Sequence, residues 1–198
     1  MYTIGIDTSH LYLVISLMDD NKIIDSYIEP CLKQQSEYLI PQLDKMIKNN
    51  NLTVDDIETV VVTVGPGSYT GVRIAMTLAK VLGSIVGKKV ATLSTLQLYA
   101  GKEDALVLLD ARASRCYVGR YRNGKPLQPD CVMSNEEIKN ILNDDIILIG
   151  DLHLFGREDN YPHICENFLA LKDEWKFLDN IDILTPVYLK SNQEYLKK

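Results

Sequence analysis

The chain has 198 residues, of which 46% are hydrophobic and 24% are charged, and its formal net charge is −6. This composition is typical of a globular protein with one domain or two small ones, and the negative charge argues against nucleic-acid binding through the whole surface. The start, MYTIGIDTS, has neither a basic region nor a long apolar segment, so we expect a cytoplasmic chain without a signal peptide or membrane span.

The chain is predicted to begin with three strands, over residues 2–6, 11–18 and 23–28. A turn that starts with Asp7-Thr8-Ser9 separates the first two, and residues 19–22 form a hairpin turn before the third. A helix follows near residues 36–49, in which Pro41 requires either a later start or a kink.

Residues 65–73, Gly-Pro-Gly-Ser-Tyr-Thr-Gly-Val-Arg, are the most distinctive part of the chain. They follow a β-branched run at 57–64, typical of a buried parallel strand, and lead into a helix predicted over 70–86. Backbone N–H groups at such a helix start can bind an anion. The spacing, however, matches neither the P-loop, whose lysine is missing, nor the dinucleotide-binding motif. A phosphate site and a simple tight turn therefore both remain open.

The helix after this loop has an uneven distribution of side chains. Its polar residues form one narrow stripe, made of Arg73, Thr77, Lys80, Ser84 and Lys88. A row of small residues follows another line, made of Gly71, Ala75, Ala79, Gly83 and Gly87. This row either rests on the protein's own sheet or receives a helix from a partner. In the second case, Ala75→Trp or Ala79→Trp would abolish partner binding without unfolding the monomer, whereas unfolding would mean that the row packs internally.

The second half of the chain repeats the pattern of the first. After a strand at 89–93 and a helix from Ser94, strands are predicted at 106–109 and 116–121, with turns at 110–112 and 122–125. Asp7 and Asn21 are 14 positions apart, and Asp110 and Asn123 are 13 apart. Ser134 is predicted to cap a helix that runs through Leu142, before a strand at 146–149. We therefore predict an α/β protein made of two ribonuclease H-like halves, residues 1–101 and a smaller, abbreviated half at 102–198.

Other residue types give weaker signals. The four cysteines form no C-x-x-C pair and the three histidines form no closely spaced pair, so neither a zinc site nor a redox motif is predicted. A basic segment runs from Arg112 to Lys125, but alternation along a strand splits it between two faces. A solvated strand surface and a contact to RNA or an acidic partner are the alternatives.

Several segments together resemble the TsaB family of the actin and sugar-kinase superfamily. They are residues 6–9, Ser36-Glu37 followed by Leu39-Ile40-Pro41, the loop 65–73 with Ala79-Lys80 behind it, Ser94-Thr95-Leu96, Asp110-Ala111-Arg112 with Tyr117, and residues 186–190. They span essentially the whole chain, and the loop and the Asp-Ala-Arg segment are the most specific. Gln35 departs from the family pattern, which has a histidine there, and Lys190 replaces a common arginine.

The resemblance implies an actin-like/sugar-kinase (ASKHA) fold and a role in tRNA modification. The chain would be a non-catalytic or weakly active partner of TsaD, which transfers threonylcarbamoyl to N6 of the adenosine beside the anticodon. The two would pair through helices of their N-terminal halves, with the ATPase TsaE at the junction. ATP and Mg²⁺ would enter only through the partner proteins, and tRNA only through the complex. Without TsaD, the same surface offers a homodimer interface.

We accordingly predict two sets of residues, none of them catalytic or metal-binding. The partner interface is predicted at Tyr38, Leu39, Leu43, Met46, Gly71, Ala75, Thr77, Ala79 and Lys80. Candidate ligand contacts are Asp7, Thr8, Ser9, Gly65, Gly67, Ser68, Thr70, Arg73 and Asp110.

The alternative function is a small-molecule kinase or ATPase that would use Asp7, the loop amides and Asp110. Superfamily members that bind ATP have a glycine in the first turn, where the backbone approaches phosphates. This turn, residues 7–10, has none. Asp7 and Asp110 could hold Mg²⁺ across a cleft or could stabilise their own turns.

Overall fold

The structure of the protein, a computed structural model, describes residues 1–31, 33–142 and 145–190. Residues 191–198, at the end of the predicted second half, lie outside this range. The described residues form a six-stranded and a five-stranded sheet together with five α-helices. None of the described helices is long and apolar enough to cross a membrane.

The first sheet has the predicted order of antiparallel and parallel strands. Its N-terminal strands are β1 (Tyr2–Asp7), β2 (Tyr12–Met18) and β3 (Ile23–Pro30), and they pair antiparallel. The strand β4 (Ile57–Thr63) then pairs in parallel with β1, and β5 (Lys89–Leu93) pairs in parallel with β4. Nearly every side chain of β4 is buried, because a hydrophobic core lies on each face of this part of the sheet. A strand that is buried on both faces is typically rich in β-branched residues, as β4 is.

The second sheet repeats this arrangement with fewer residues. Its strands are β6 (Ala105–Asp110), β7 (Arg115–Arg122), β8 (Lys125–Pro126), β9 (Cys131–Ser134) and β10 (Ile147–Gly150). β6 and β7 are antiparallel, as are β1 and β2, and β10 lies parallel to β6 as β4 does to β1. The predicted α/β fold of two ribonuclease H-like units, the second abbreviated, is therefore confirmed.

The helices are α1 (Gln35–Asn49), α2 (Tyr69–Ser84), α3 (Thr95–Ala100), α4 (Asn135–Ile141) and α5 (Ile164–Ala170). α1 begins at Gln35 and contains Pro41, so a later helix start is wrong. α4 has the predicted cap: the Ser134 hydroxyl accepts from the N–H of Glu137, whose carboxylate accepts from the N–H of Ser134. This reciprocal capping box satisfies two backbone donors at the helix start.

The segment after the second sheet returns to the first sheet. α5 packs against β2 and β3, and the ring of Phe168 fills the space beside Gly5, where an added Cβ would lie 2.5 Å from the ring. Further on, β11 (Lys176–Phe177) pairs antiparallel with β5. The boundary between residues 101 and 102 remains a prediction, and the structure shows that residues of the predicted second half complete the sheet of the first.

Two large hydrophobic cores hold the molecule together. One contains residues of both sheets together with α3 and α5, among them Val14, Val107 and Phe168. The other lies between the first sheet and the helices α1 and α2, and includes Ile4 and Val60. The face of α1 and α2 that is turned away from this second core is one side of the candidate site.

Candidate functional site

The loop at residues 65–71 packs directly on the turn that follows β1. The N–H of Ser68 donates to the carbonyl of Ser9 at 2.7 Å. The hydroxyl of Thr8 donates to the carbonyl of Gly71 at 2.7 Å and accepts from the N–H of Ala75 at 3.1 Å. Buried polar groups in folded proteins are nearly always hydrogen-bonded, and here the loop and the turn provide each other's partners.

The glycines of the loop are what allow this contact. A Cβ added at Gly67 would lie 2.4 Å from the carbonyl oxygen of Ser9, and one added at Gly71 would lie 2.2 Å from that of Thr8. No side chain can occupy such positions without moving the backbone. The sequence alone does not say whether a phosphate approaches the backbone at these glycines. In the structure, the chain's own turn occupies this close position.

The carboxylate of Asp7 is held beneath this contact. Its Oδ1 accepts from the N–H of Ser9 at 3.1 Å and from the hydroxyl of Thr63 at 2.5 Å, and its Oδ2 accepts from the hydroxyl of Tyr99 at 3.4 Å. Burial and the nearby Asp7 charge raise the pKa of Tyr99 well above its usual value, so the phenol remains a donor. These partners give Asp7 a structural role.

Five of the residues predicted to contact a ligand are buried in the structure, and their role as ligand contacts stays a prediction. Asp7, Thr8, Ser9, Gly65 and Gly67 are buried, because the loop and the turn cover one another. They are packing residues in this structure. Ser68, Thr70 and Arg73 lie at the exposed start of α2, where their role as ligand contacts stays a prediction.

Residues 186–190, which we call the strap, cover the outer side of the loop. The N–H of Val187 donates to the carbonyl of Val64 at 2.7 Å, and the ring of Tyr188 stacks on Tyr69 with centroids 5.2 Å apart. The ammonium of Lys190 donates to the carbonyl of Ala111 at 2.5 Å. The strap thus joins the loop to the second half, and Lys190 can make this connection although the family's usual residue is arginine.

Asp110, the counterpart of Asp7 in the second half, stabilises its own turn. Its Oδ1 accepts from the N–H of Arg112 at 2.7 Å, and its Oδ2 accepts from the guanidinium of the same residue at 3.1 Å. Residues 112–114 all have left-handed φ values, between 55° and 66°, a conformation that such local side-chain hydrogen bonds support. With Asp7 enclosed, the geometry favours turn stabilisation by both carboxylates over a shared Mg²⁺ site.

The arginines of the basic segment are paired within the protein. Arg120 and Arg122 both form ion pairs with Asp104, and Arg112 pairs with Asp110. Arg120 also donates to the carbonyls of Ala105 and Tyr121. These contacts favour the solvated strand surface over a dedicated RNA site.

A buried network that the sequence did not reveal connects the two halves. Asp151, which follows β10, accepts from the N–H of Asp110 at 2.5 Å and from the hydroxyl of Tyr161, and its carboxylate lies 3.1 Å from Nε2 of His10. Burial alone would raise the pKa of the Asp151 carboxyl, but the hydrogen bonds and charge of His10, with Tyr161 and the Asp110 N–H, lower it. The one available signal was Gly150-Asp151 at the end of a predicted buried strand.

We expect Asp151→Asn to destabilise the protein at neutral pH by about 1–3 kcal/mol. The substitution replaces a buried carboxylate, which accepts hydrogen bonds from several donors, with an uncharged amide. A lowered pKa in the folded state contributes stability that is fully present above the usual aspartate pKa and is lost as the pH falls below it. Urea unfolding at pH 7 and pH 3 should therefore show a smaller difference between the two pH values for the variant than for the wild type. Asp44→Asn, which removes the carboxylate of an exposed pair with Lys48, is the control. It should leave the free energy of unfolding unchanged at both pH values.

One group among the described residues has the geometry of a metal site. Ligand atoms of Asp151, His153 and Asp159 lie within 4.8 Å of one another. Nδ1 of His153, however, lies 2.8 Å from Asp159, whose carboxylate also accepts the N–H of His153. This hydrogen bond raises the pKa of His153. All three groups already have partners within the protein: His153 pairs with Asp159, and Asp151 contacts His10 and Tyr161.

The outer surfaces of α1 and α2 form an exposed groove of about 440 Å³, which we call the α1/α2 groove. It is lined by Ser36, Leu39, Ile40, Tyr69, Thr70, Arg73, Ile74, Thr77, Leu78 and Val81. Most of these side chains are apolar, and Ile40 and Val81 are 62% and 42% exposed. Such a concave apolar surface between two helices is suited to receive a further helix.

The structure divides the predicted interface residues into exposed and buried ones, and the interface itself stays a prediction. Of the predicted residues, Tyr38, Thr77 and Lys80 reach the surface. The others are buried inside the protein. Gly71 packs on the turn at Thr8, and the rest belong to the core between the helices and the first sheet: Leu39, Leu43, Met46, Ala75 and Ala79. Ala75 and Ala79 are 0% exposed, so Ala75→Trp is expected to unfold the monomer rather than to block a partner.

Leu39 was predicted and lines the groove, but sequence reasoning missed the other apolar residues that line it. Ile40, Ile74, Leu78 and Val81 were not selected, although Ile74 and Leu78 are four residues apart and so share one side of α2. The row of small residues on α2 was a misleading signal, because small residues allow close packing equally well on the chain's own sheet and on a partner.

Comparison with known proteins gives the family. A family model for TsaD, tRNA N6-adenosine threonylcarbamoyltransferase, matches residues 28–153, which is more than half of the chain. The tRNA threonylcarbamoyladenosine biosynthesis protein TsaB of Bacillus subtilis is 34% identical over 131 residues, or 63% of this chain. The TsaB protein of Buchnera aphidicola from Schizaphis graminum is 24% identical over 180 residues, 87% of this chain and 79% of that protein. The chain belongs to the TsaB family.

The TsaB assignment agrees with the fold. YeaZ from Pseudomonas aeruginosa superimposes with a TM-score of 0.74 at 19% identity, covering 95% of this chain and 99% of that one. At this identity the likeness concerns the fold alone. The match to the TsaD model is consistent with TsaB and TsaD being paralogues. The alignment to the Bacillus TsaB protein spans 57% of that protein's length.

Proposed function

We propose that this TsaB-family chain is a non-catalytic subunit that pairs with TsaD, and with TsaE, in forming N6-threonylcarbamoyladenosine beside the anticodon of tRNAs. Its relatives in Bacillus and Buchnera are named as tRNA threonylcarbamoyladenosine biosynthesis proteins, which supports a role in forming this nucleoside. The complex would act in the cytoplasm, and tRNA, ATP and Mg²⁺ would reach it through the partner proteins.

The observation that carries this proposal is the contact between the loop 65–71 and the turn after β1. In an ATP-using member of the superfamily, this turn would have to receive phosphates. Here the carbonyl of Ser9 accepts from Ser68 at 2.7 Å, and Asp7 has three hydrogen-bond partners within the protein. This arrangement argues against the kinase or ATPase alternative.

The α1/α2 groove supports the pairing with TsaD. It is the apolar concave surface that the resemblance leads us to expect on helices of the N-terminal half, and several of its lining residues, among them Ile40 and Val81, are exposed in the monomer. A helix of the partner would bury them, which is the usual source of affinity in helix-in-groove recognition.

We expect the purified chain alone to show no sustained ATP hydrolysis above the level of a buffer control. Among the residues that the structure describes, the enclosed carboxylate of Asp7 and the turn-bound carboxylate of Asp110 leave no arranged site for a phosphate-bound cation. Phosphate release would be measured with Mg²⁺ and ATP. Turnover that Asp110→Asn removes, while circular dichroism shows a folded protein, would overturn the non-catalytic assignment.

The cellular test is depletion of the gene in its own organism. Mass spectrometry of tRNA nucleosides should show a loss of N6-threonylcarbamoyladenosine, and re-expression of the chain should restore it. Unchanged levels of the modified nucleoside after full depletion would contradict the proposal.

A further inference from the structure

A second cavity, of about 500 Å³, lies on the face of the first sheet that is turned away from α1 and α2. Its floor is a row of three neighbouring residues, Thr3 of β1, Thr59 of β4 and Lys89 of β5, which the strand register places side by side. The next residues along β1 and β4, Ile4 and Val60, belong to the core beneath α1 and α2. Because successive side chains of a strand point to opposite faces, the two threonines face the other way. We call this space the sheet cavity.

The two threonines bring free hydroxyl groups to the floor of the sheet cavity. Within the described part of the chain, neither hydroxyl has a hydrogen-bond partner. Thr59 is only 6% exposed, and what remains accessible of its hydroxyl opens on the cavity. Buried polar groups in folded proteins are nearly always hydrogen-bonded, to protein, water or ligand. The floor therefore presents two groups that can each donate or accept, on strands about 4.8 Å apart.

One wall of the sheet cavity is aromatic and fixed in position. Nε1 of Trp175 donates to the carbonyl of Phe168 at 3.0 Å, and the rings of Trp175 and Phe177 meet edge to face with centroids 6.3 Å apart. The pairing of β11 with β5 holds the backbone of Phe177, yet this side chain is 54% exposed. A flat ring can stack on such a surface with little ordering of the protein.

The charged side chains at the rim of the sheet cavity already neutralise one another. Lys172 lies 2.6 Å from Asp20, and Lys89 lies 2.8 Å from Glu58. A further carboxylate, that of Asp179, also lines the cavity. An anionic ligand would have to displace a carboxylate from one of the lysines, whereas an uncharged ligand leaves both ion pairs intact. The rim therefore favours a neutral ligand that carries hydrogen-bonding groups.

We propose that the sheet cavity binds an uncharged planar heterocycle with hydrogen-bonding groups along one edge, as in a free nucleoside. The ring would stack on Phe177, its polar edge would meet the hydroxyls of Thr3 and Thr59, and the sugar hydroxyls would face the ion pairs at the rim. The volume lies within the range of small-molecule sites, and stacking on aromatic side chains is available to every base. The site lies apart from the α1/α2 groove and does not depend on the proposed function.

The test is titration of the full chain with adenosine and with uridine, followed through amide chemical shifts in NMR spectra. We expect a Kd of about 0.1–1 mM, the range for a ligand of this size in an open site. Thr59→Val keeps the branched shape that suits a strand and removes the hydroxyl, and it should raise the Kd about fivefold. Phe177→Ala removes the stacking surface and should raise the Kd about tenfold.

The matched controls are Thr185→Val and Ile183→Ala, at two exposed residues that do not line the sheet cavity. Both should bind the nucleosides within about twofold of the wild type. Thermal unfolding of every variant establishes that it is folded. Because Phe177 is half-exposed, its replacement tests the site independently of the buried substitution at Thr59.

Adenosine monophosphate tests the preference for an uncharged ligand. It should bind at least about threefold more weakly than adenosine, because its phosphate competes with the carboxylates for the lysines. Tighter binding of the monophosphate would show that the ligand class is wrong. The site itself is refuted if neither nucleoside binds at about 5 mM, or if Thr59→Val and Phe177→Ala both bind like the wild type.

Discussion

Replacing Ile40 and Val81 together by aspartate is expected to abolish binding to TsaD while leaving the monomer folded. Both side chains line the α1/α2 groove, and they are 62% and 42% exposed, so the free protein loses little by the change. In the complex, two carboxylates would be buried without partners, which costs several kcal/mol in total. We therefore expect a Kd at least about 100-fold higher than that of the wild type.

The measurement is calorimetric titration with TsaD, accompanied by thermal unfolding of each variant. Leu127→Asp is a suitable control, because Leu127 is 52% exposed and is not among the groove residues. It should bind TsaD like the wild type. Normal binding by the Ile40→Asp/Val81→Asp variant would show that the partner uses another surface.

The second large effect is expected for Gly71→Ala, which should destabilise the fold by about 3 kcal/mol. Intrinsic helix propensity favours alanine by about 1 kcal/mol at this position. The added Cβ, however, would lie 2.2 Å from the carbonyl oxygen of Thr8. The loop and the turn would have to separate, and the hydrogen bonds of the Thr8 hydroxyl to Gly71 and Ala75 would be lost.

Thermal and urea unfolding would measure this effect, with a decrease in Tm of about 6–12 °C for a chain of this size. Gly83→Ala is the matched control, since it changes the same residue type in the same helix. Its Cβ would meet side-chain atoms of Val90 and Ile181 at 2.9 and 3.1 Å, and side chains can move where a backbone carbonyl cannot. Equal losses for the two variants would show that the contact between loop and turn has no special role.

Much of the fold follows from local sequence patterns. The β-branched run of β4 and the hairpin turns near Asp19 and Asn123 have strong local preferences, and both hairpins are present. The duplication was predictable because corresponding turns recur at nearly equal spacing. In these elements, local preference and tertiary environment agree, which is the condition under which sequence reasoning succeeds.

The elements that were missed depend on distant contacts. α5 has only seven residues and β11 only two, too short to show a reliable period. α5 is held by Phe168 against Gly5, and β11 by its pairing with β5. Neither partner can be inferred from the neighbouring sequence.

The site shows a different limit of sequence reasoning. Glycines at 65, 67 and 71 indicate that something approaches the backbone closely, but they do not identify what approaches. The structure shows that it is the turn after β1 and, at Gly65, the carbonyl of Val187. In the same way, the small residues of α2 indicate close packing without showing whether the neighbour belongs to the same chain.

The pairing of β11 with β5 has a consequence for the order in which the protein can fold during synthesis. Thr92 and Lys176 are hydrogen-bonded although they are 84 residues apart, and the ring of Phe168 covers Gly5 near the other end of the chain. When the N-terminal half has emerged from the ribosome, the strand β11 and the ring of Phe168 that complete its packing have not yet emerged. The nascent half therefore emerges with an open sheet edge and an uncovered apolar face, the kind of surface that chaperones bind.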